Sequence, residues 1–258
     1  MKLYFQYFLV HLKCELEYKL SFFLSFFSQF FVFFSYYFTI LCLFEQFSNI
    51  KGFTLYEVLL TFSVIQFGFS FCETFFRGID QFDDLLISGN FDRLLVRPRG
   101  ILIQVFCEKI DFVKISRVLQ SLVILAIAII KGNILWNIEK IITLICMMFS
   151  SIIIFLSLFI FTAAYCFFTI KGLEIRNVLT YGCKHMAQYP IGIFKKGFLM
   201  FFTFVIPFGF VNYYPLLFIL GRQTNNLFIL SPLITIFYLL PSVMIFHKGV
   251  KRYSSVGS

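Results

Sequence analysis

Charge is what this sequence has least of. Only 14% of its residues are charged, where soluble domains carry about 25%. No stretch is both long enough and polar enough to fold as a separate soluble domain. Paired cysteines are missing too. Cys14, Cys42, Cys72, Cys107, Cys146, Cys166 and Cys183 include no CxxC spacing, and most lie in apolar runs, where Cys behaves as a small hydrophobe. Neither a disulfide framework nor a metal site is expected. A nucleotide-binding loop is absent. The nearest approach is Gly192-x4-Gly197, and Phe198 stands where the phosphate-binding Lys is needed. The N-terminus lacks a short apolar core followed by small residues, so no cleaved signal peptide is expected. No internal repeat is visible, and no Lys/Arg run is interleaved with aromatics on a polar surface, so no nucleic-acid partner is expected.

What fills the space is apolar. Hydrophobic residues make up 60% of the chain, and 41 of its 258 residues are Phe. A bilayer is the solvent that accepts such a surface, and a helix crosses its hydrocarbon with about 20 apolar residues. The runs predict an all-α integral membrane protein, a single transmembrane domain over 1–258 with six spans at 20–44, 54–76, 112–130, 141–170, 197–220 and 228–247. Residues 1–19 alternate Tyr4, Phe5, Phe8 and Leu12 with Lys13, Glu15, Glu17 and Lys19, the pattern of a helix lying at the membrane interface. The fifth run holds Pro207, Gly209, Asn212, Tyr213 and Pro215. Backbone hydrogen bonds are lost or loosened there, so one straight helix is not expected. Non-helical backbone at membrane depth survives only against protein or a wet cavity. That sets 206–216 against protein or a wet cavity, with Asn212 and Tyr213 as its polar groups.

Basic residues predict the orientation. With a cytoplasmic N-terminus, inside segments hold eighteen of the 22 Lys and Arg: three before residue 20, seven in 77–117, five in 171–196 and three in the tail. Only Lys51, Lys131, Lys140 and Arg222 fall outside. A multi-pass protein of a bacterial cell membrane, with both termini cytoplasmic, is the expectation.

Hydrolase chemistry has weak support. Gly68-Phe69-Ser70, His247 and Ser48-x-x-Lys51 are short coincidences, and small residues inside a span usually serve helix packing. Glu73 and Arg77, four apart, read as a local ion pair at a helix end. The other spans carry ionisable residues only near their ends, which argues against an ion path built on buried carboxylates.

The polar stretch 77–111 is the informative one. Ile79, Phe82, Leu85 and Leu86 share one helical face, and Asp80, Asp83 and Asp84 the other. Gly89 can end this helix and Asn90 can cap the next, whose apolar face is Phe91, Leu94 and Leu95. Pro98-Arg99-Gly100 is a turn. An anionic leaflet would repel the three aspartates, so a protein groove suits these two short helices better.

The sequence Gly89-x-Phe91-Asp92-x-Leu94-Leu95-x-Arg97-Pro98 resembles the signature of the type-2 ABC (ABC-2) exporter permeases, in their six-span branch. The tail Arg252-Tyr253-Ser254-Ser255-x-Gly257-Ser258 resembles that branch's ending, and Tyr189-Pro190, Ile206-Pro207 and Tyr213-x-Pro215 fit its second half. The extreme Phe content departs from the usual Leu-rich spans without touching these motifs. The resemblance implies a non-enzymatic permease subunit, paired with an identical or related permease chain and surrounded by membrane lipids. Separate ABC ATPase subunits, which bind the ATP and Mg, would dock beneath it. The permease chain itself would carry no cofactor. It also implies that Ile79, Asp80, Phe82, Asp83, Asp84, Leu85, Leu86, Gly89, Asp92, Arg93, Arg97 and Pro98 belong to the coupling helix region. Residues 1–19 would be the gate-like connecting helix, and the broken fifth span a re-entrant segment whose Pro207, Gly209, Asn212, Tyr213 and Pro215 lie beside the exit of a substrate path. The rival readings from the residues alone are an intramembrane hydrolase and a non-transporting anchor or sensor that recruits a cytoplasmic protein.

Overall fold

The computed structural model describes residues 2–169, 172–223 and 225–254. Among them every regular element is helical; the single β-bridge joins Ile50 to Phe53 in a turn. The N-terminal helix α1 (Lys2–Glu17) bends at Tyr18 into α2 (Lys19–Gln46). The turn at the far end, with Lys51 and Gly52 both at positive φ, leads into α3 (Leu55–Phe75). Thr54 and Glu57 form a capping box there, which satisfies two of the amide donors that a helix start leaves open.

Four short helices follow: α4 (Arg77–Asp80), α5 (Phe82–Ile87), α6 (Asn90–Leu95) and α7 (Ile101–Glu108). A 3-10 turn at Phe112–Lys114 opens α8 (Ile115–Lys131). The long α9 (Ile138–Cys166) starts where the Asn137 side chain accepts from the Lys140 amide at 2.9 Å. Five helical stretches are long and apolar enough to cross a membrane: 19–46, 55–75, 112–131, 138–166 and 227–252. The last is built from α14 (Leu227–Leu230), a 3-10 turn and α15 (Ile236–Arg252). Span four, expected at 141–170, is helical from 138 to 166; residues 170 and 171 lie outside the described residues, as do 255–258 of the tail motif.

The fifth run is broken, as its prolines and glycine led one to expect. Residues 197–220 were expected as one interrupted span. They form α12 (Lys196–Phe204) and, after a π turn at Gly209–Tyr213, α13 (Tyr214–Ile219). The two halves meet at 97°, the geometry of a broken span or re-entrant loop. Pro207 at the bend has no amide to donate, and a Cβ on Gly209 would collide with the Thr203 hydroxyl.

The stretch expected as a polar loop, 171–196, is also helical through α10 (Gly172–Asn177), a π turn at Val178–Gly182 and α11 (Cys183–Ala187). It climbs along α3. Tyr181 donates to Glu73, and Gln188 donates to Gln66 while its carbonyl accepts from Thr61. Its polar residues look loop-like in a hydropathy reading because their partners on α3 are remote in sequence.

Between spans, apolar contact gains little over lipid, so close packing and hydrogen bonds hold the bundle. Gly68 lets α3 approach α9: a Cβ there would land on the backbone and hydroxyl of Ser151. By contrast α2 touches the bundle along one narrow face, and Phe23, Phe27, Phe31 and Phe38 are exposed.

Candidate functional site

The four short helices stand at one end of the bundle, and their apolar face is turned into the chain itself. Ile79, Phe82, Phe91 and Leu94 are buried, and Leu86 nearly so. Phe82 and Phe91 meet edge to face at 5.1 Å between ring centroids. Phe82 also packs on Phe246 at 5.5 Å, and Phe91 on Phe167 at 5.5 Å and Tyr253 at 5.0 Å. Such aromatic pairs add to their area of burial. The loop is therefore seated on the ends of α9 and α15. The apolar side chains it leaves outside are Leu85 in part, then Ile87, Leu95, Val96 and, on α7, Ile103; Val96 is 83% exposed.

Gly89, at φ 68°, forms the joint between α5 and α6. It occupies the cap position expected for Asn90, whose side chain instead donates to Ser88 at 2.9 Å and accepts from Arg93 at 3.2 Å. Asp84, Arg93 and Pro98 are exposed, and Asp92 is half-buried. Arg97 reaches back to the Tyr7 hydroxyl at 3.3 Å and so ties the loop to α1. Other ties to α1 are the Tyr4 hydroxyl on the Phe75 carbonyl at 2.7 Å and the Phe112 amide on Glu15 at 3.3 Å.

Beneath the loop lies a buried charge cluster. Glu73, 1% exposed, accepts from Arg117 at 2.6 Å, Tyr181 at 3.1 Å and Arg77 at 3.3 Å, with Lys114 at 3.8 Å. Arg117 also donates to Gln29 of α2. Arg77 pairs with Asp80. Arg176 of α10 donates with one nitrogen to both Asp83 and the Asp80 carbonyl, each at 2.7 Å. Lys184 is buried one turn above Tyr181, 4.4 Å from the Phe69 ring centroid. Burial, with Glu73 and Asp83 nearby, pushes the Asp80 carboxyl up to about 6 against the pull of Arg77 and Arg176.

An isolated buried carboxylate would be expelled or neutralised; several cations around three carboxylates make this cluster tenable. It gathers α2, α3, the loop, α8 and the α10–α11 helix at one point. The sequence offered Glu73 and Arg77 by their spacing. Arg117, Lys114 and Arg176 carried only the weaker signal of basic residues at span ends.

The fifth-span residues are brought together with α11 rather than with the loop. Pro207, Gly209, Asn212 and Pro215 are buried. Asn212 donates to the Ala187 carbonyl, while its Oδ1 is buried without a protein partner. The Tyr213 ring lies against Gly192, where a Cβ would collide with it. Ser70 is hydrogen-bonded by Gln66 at 3.0 Å, whereas His247 is exposed on α15; no nucleophile–base pair joins them.

This arrangement defines a multi-pass α-helical membrane protein with a helical loop fastened to one end of its bundle. Residues 30–257 match the model of the family described as ABC-2 family transporter protein. The chain belongs to the ABC-2 transporter family, as a membrane component of a kind that is typically a non-catalytic permease served by ATPase subunits. No curated protein and no solved structure matches it.

Proposed function

We propose that the chain is the permease subunit of an ATP-driven exporter. In this reading it pairs with a second permease chain and takes its stroke from separate ATPase subunits that bind ATP and Mg. The observation that carries the coupling role is the seating of the loop: the aromatic contacts and the Arg176–Asp83 pair tie α4–α6 to α9, α10 and α15. A push on the loop then moves spans instead of bending a tether. Glu73, one turn before the loop, carries the motion to α8 and α2 through Arg117.

Docking falls to the outward side of the same loop. Phe82, Leu86 and Asp83 are engaged within the chain, so Ile87, Leu95 and Val96 supply the apolar contact. Asp84 and Arg93 set orientation at the rim, where charges steer more than they bind. The buried members, Ile79, Asp80, Phe82, Asp83 and Leu86, transmit; Gly89, Arg97 and Pro98 set the geometry of the joint.

Orientation rests on the basic residues. Lys195 and Lys196 begin α12 after a turn at Ile191–Ile193; Ile191 belongs to the cluster that reaches the loop, but Ile193 packs with Tyr189 and Tyr213 against the cluster around Phe53, Leu59 and Leu60, at the end away from the loop. With these two moved, Lys184 counted as buried and Lys171 outside the described residues, fourteen basic residues stand toward the loop end and six toward the other. The loop end is then cytoplasmic, together with both termini, and the membrane is a bacterial cell membrane. The 206–216 bend lies on the route out, with Asn212 Oδ1 available to a polar group of the cargo.

The test compares Val96→Asp with Leu86→Asp by co-purification of the ATPase and by ATP-dependent transport in vesicles. Val96→Asp is expected to release the ATPase or abolish coupled turnover while the spans keep their thermal stability. Leu86→Asp is expected to destabilise the permease itself. Full docking and transport in Val96→Asp would remove the loop from the coupling role.

A further inference from the structure

Two cavities on the outer surface of the bundle open beside the bent pair α12 and α13. One, about 770 Å³, lies between α11 with its preceding π turn and α12. The other, about 320 Å³, continues between α12, α9 and α15. They share Leu179, Phe201 and Ile206, so they form one groove. Its walls are almost wholly apolar, and Ser157, Tyr238 and Ser242 are its few polar residues along the second part. At the α12 start of the groove stands Lys195, exposed, followed by the equally exposed Lys196. Among the described residues neither pairs with a carboxylate, while most carboxylates of the bundle interior are held by the cluster at the far end.

We propose that this groove binds one acyl chain of an anionic phospholipid, with the headgroup phosphate held by Lys195 and Lys196. The groove is elongated and nearly free of hydrogen-bonding groups, which suits an alkyl chain. A void of this size left empty in the membrane would forfeit dispersion contacts along both walls. The two adjacent ammonium groups at one end give the occupant its polarity and its charge. Phe204 and Phe237 are exposed but do not line the groove, so the selection would be local to the groove. The bound chain would pack α12 against α11 and so support the bend at Pro207. This inference needs only that the chain is embedded in a bilayer; its failure would leave the transport reading standing.

The chain's single tryptophan makes the test direct. In a Trp136→Phe background, Phe201→Trp places a reporter in the shared part of the groove and Phe237→Trp a control on the open face of α15. Each variant is reconstituted as the full chain in phosphatidylcholine vesicles. Phosphatidylglycerol or phosphatidylcholine brominated on the acyl chain is then titrated in, and quenching is read.

The groove reporter should be quenched by the anionic lipid at far lower mole fraction than by the zwitterionic one, about fivefold lower for each lysine engaged. The control should show no preference. Lys195→Gln with Lys196→Gln should equalise the two lipids at the groove, and inorganic phosphate should not displace the quencher. Equal quenching by both lipids, or a preference that survives loss of both lysines, overturns the proposal. So does quenching by neither lipid, which would mean that protein covers the groove. Should Phe201→Trp fail to fold, Phe198→Trp reports from the same wall.

Discussion

Arg176 joins two parts of the chain that the sequence keeps 93 residues apart: its guanidinium donates to the Asp83 carboxylate at 2.7 Å and to the Asp80 carbonyl at the same distance. Both side chains are largely buried. The helix that climbs toward the bent pair α12 and α13 is thereby latched to the loop. Arg176→Ala would leave Asp83 without its cation, and breaking a buried pair by removing one partner costs about 3–5 kcal/mol. Part of this pair reaches solvent, so the low end is expected. Thermal unfolding in mild detergent should show the loss, and the swap Arg176→Asp with Asp83→Arg should recover more stability than either single change. Additive effects in that double-mutant cycle would mean that the latch carries no coupling energy.

Glu73 is the common acceptor of Arg77, Arg117 and Tyr181. Glu73→Gln keeps the shape but leaves Arg77, Lys114 and Arg117 crowded without their shared counter-charge. A loss on the order of 3–5 kcal/mol follows by the same reasoning. The expected readout is a lower unfolding temperature and a smaller yield of monodisperse protein. Glu57→Gln, at the exposed pair with Arg222 (2.8 Å), should cost less than about 1 kcal/mol.

Asp80 gives the stability a pH dependence of defined sign. Its folded pKa of about 6 lies above its ordinary value of 3.8, chiefly because it is buried. Between these values the folded chain holds a proton that the unfolded chain has released. This group's contribution to stability therefore falls as pH rises from about 4 to about 6, and is flat above that. Its facing charges are Arg77, Glu73, Arg176 and Asp83. Asp80→Asn should remove that slope from the difference between variant and parent, measured as unfolding temperature from pH 4 to 7. A parallel pair of curves would refute the assignment.

Gly68 sets the distance between α3 and α9. Gly68→Ala drives a methyl group into Ser151, backbone included, so the helices must separate. Overpacking of this kind costs about 1–3 kcal/mol. Gly197→Ala, which meets nothing within 4 Å, is the matched control and should be near neutral in unfolding temperature.

The loop shows how far sequence patterning reaches. The period of Ile79, Phe82 and Leu86 identifies an amphipathic face, but periodicity is silent on what covers that face. The covering groups are Phe167 and Phe246, brought in from the end of α9 and from α15 respectively. In the same way Phe91 of the loop motif and Tyr253 of the tail motif, legible only as two separate resemblances, prove to be ring neighbours at 5.0 Å. The half-buried helix over 172–187 is not legible in the sequence because Arg176 and Lys184, with Gln188 just after it, lower the hydropathy of the stretch. Each of those groups is enclosed by α3 or the loop, and hydropathy scores a residue without its neighbours.

By itself the sequence determined the solvent, five of the long apolar runs, the break at Pro207 and the family. These follow from local properties: transfer free energy, the missing proline amide, and a contiguous motif. The tertiary structure alone decided which face of the loop is free, which cations surround Glu73, and that Lys195 and Lys196 open α12 away from the loop. Those outcomes depend on pairings between segments tens of residues apart. A charged side chain enters a membrane bundle only where a partner from another helix is already in place to receive it.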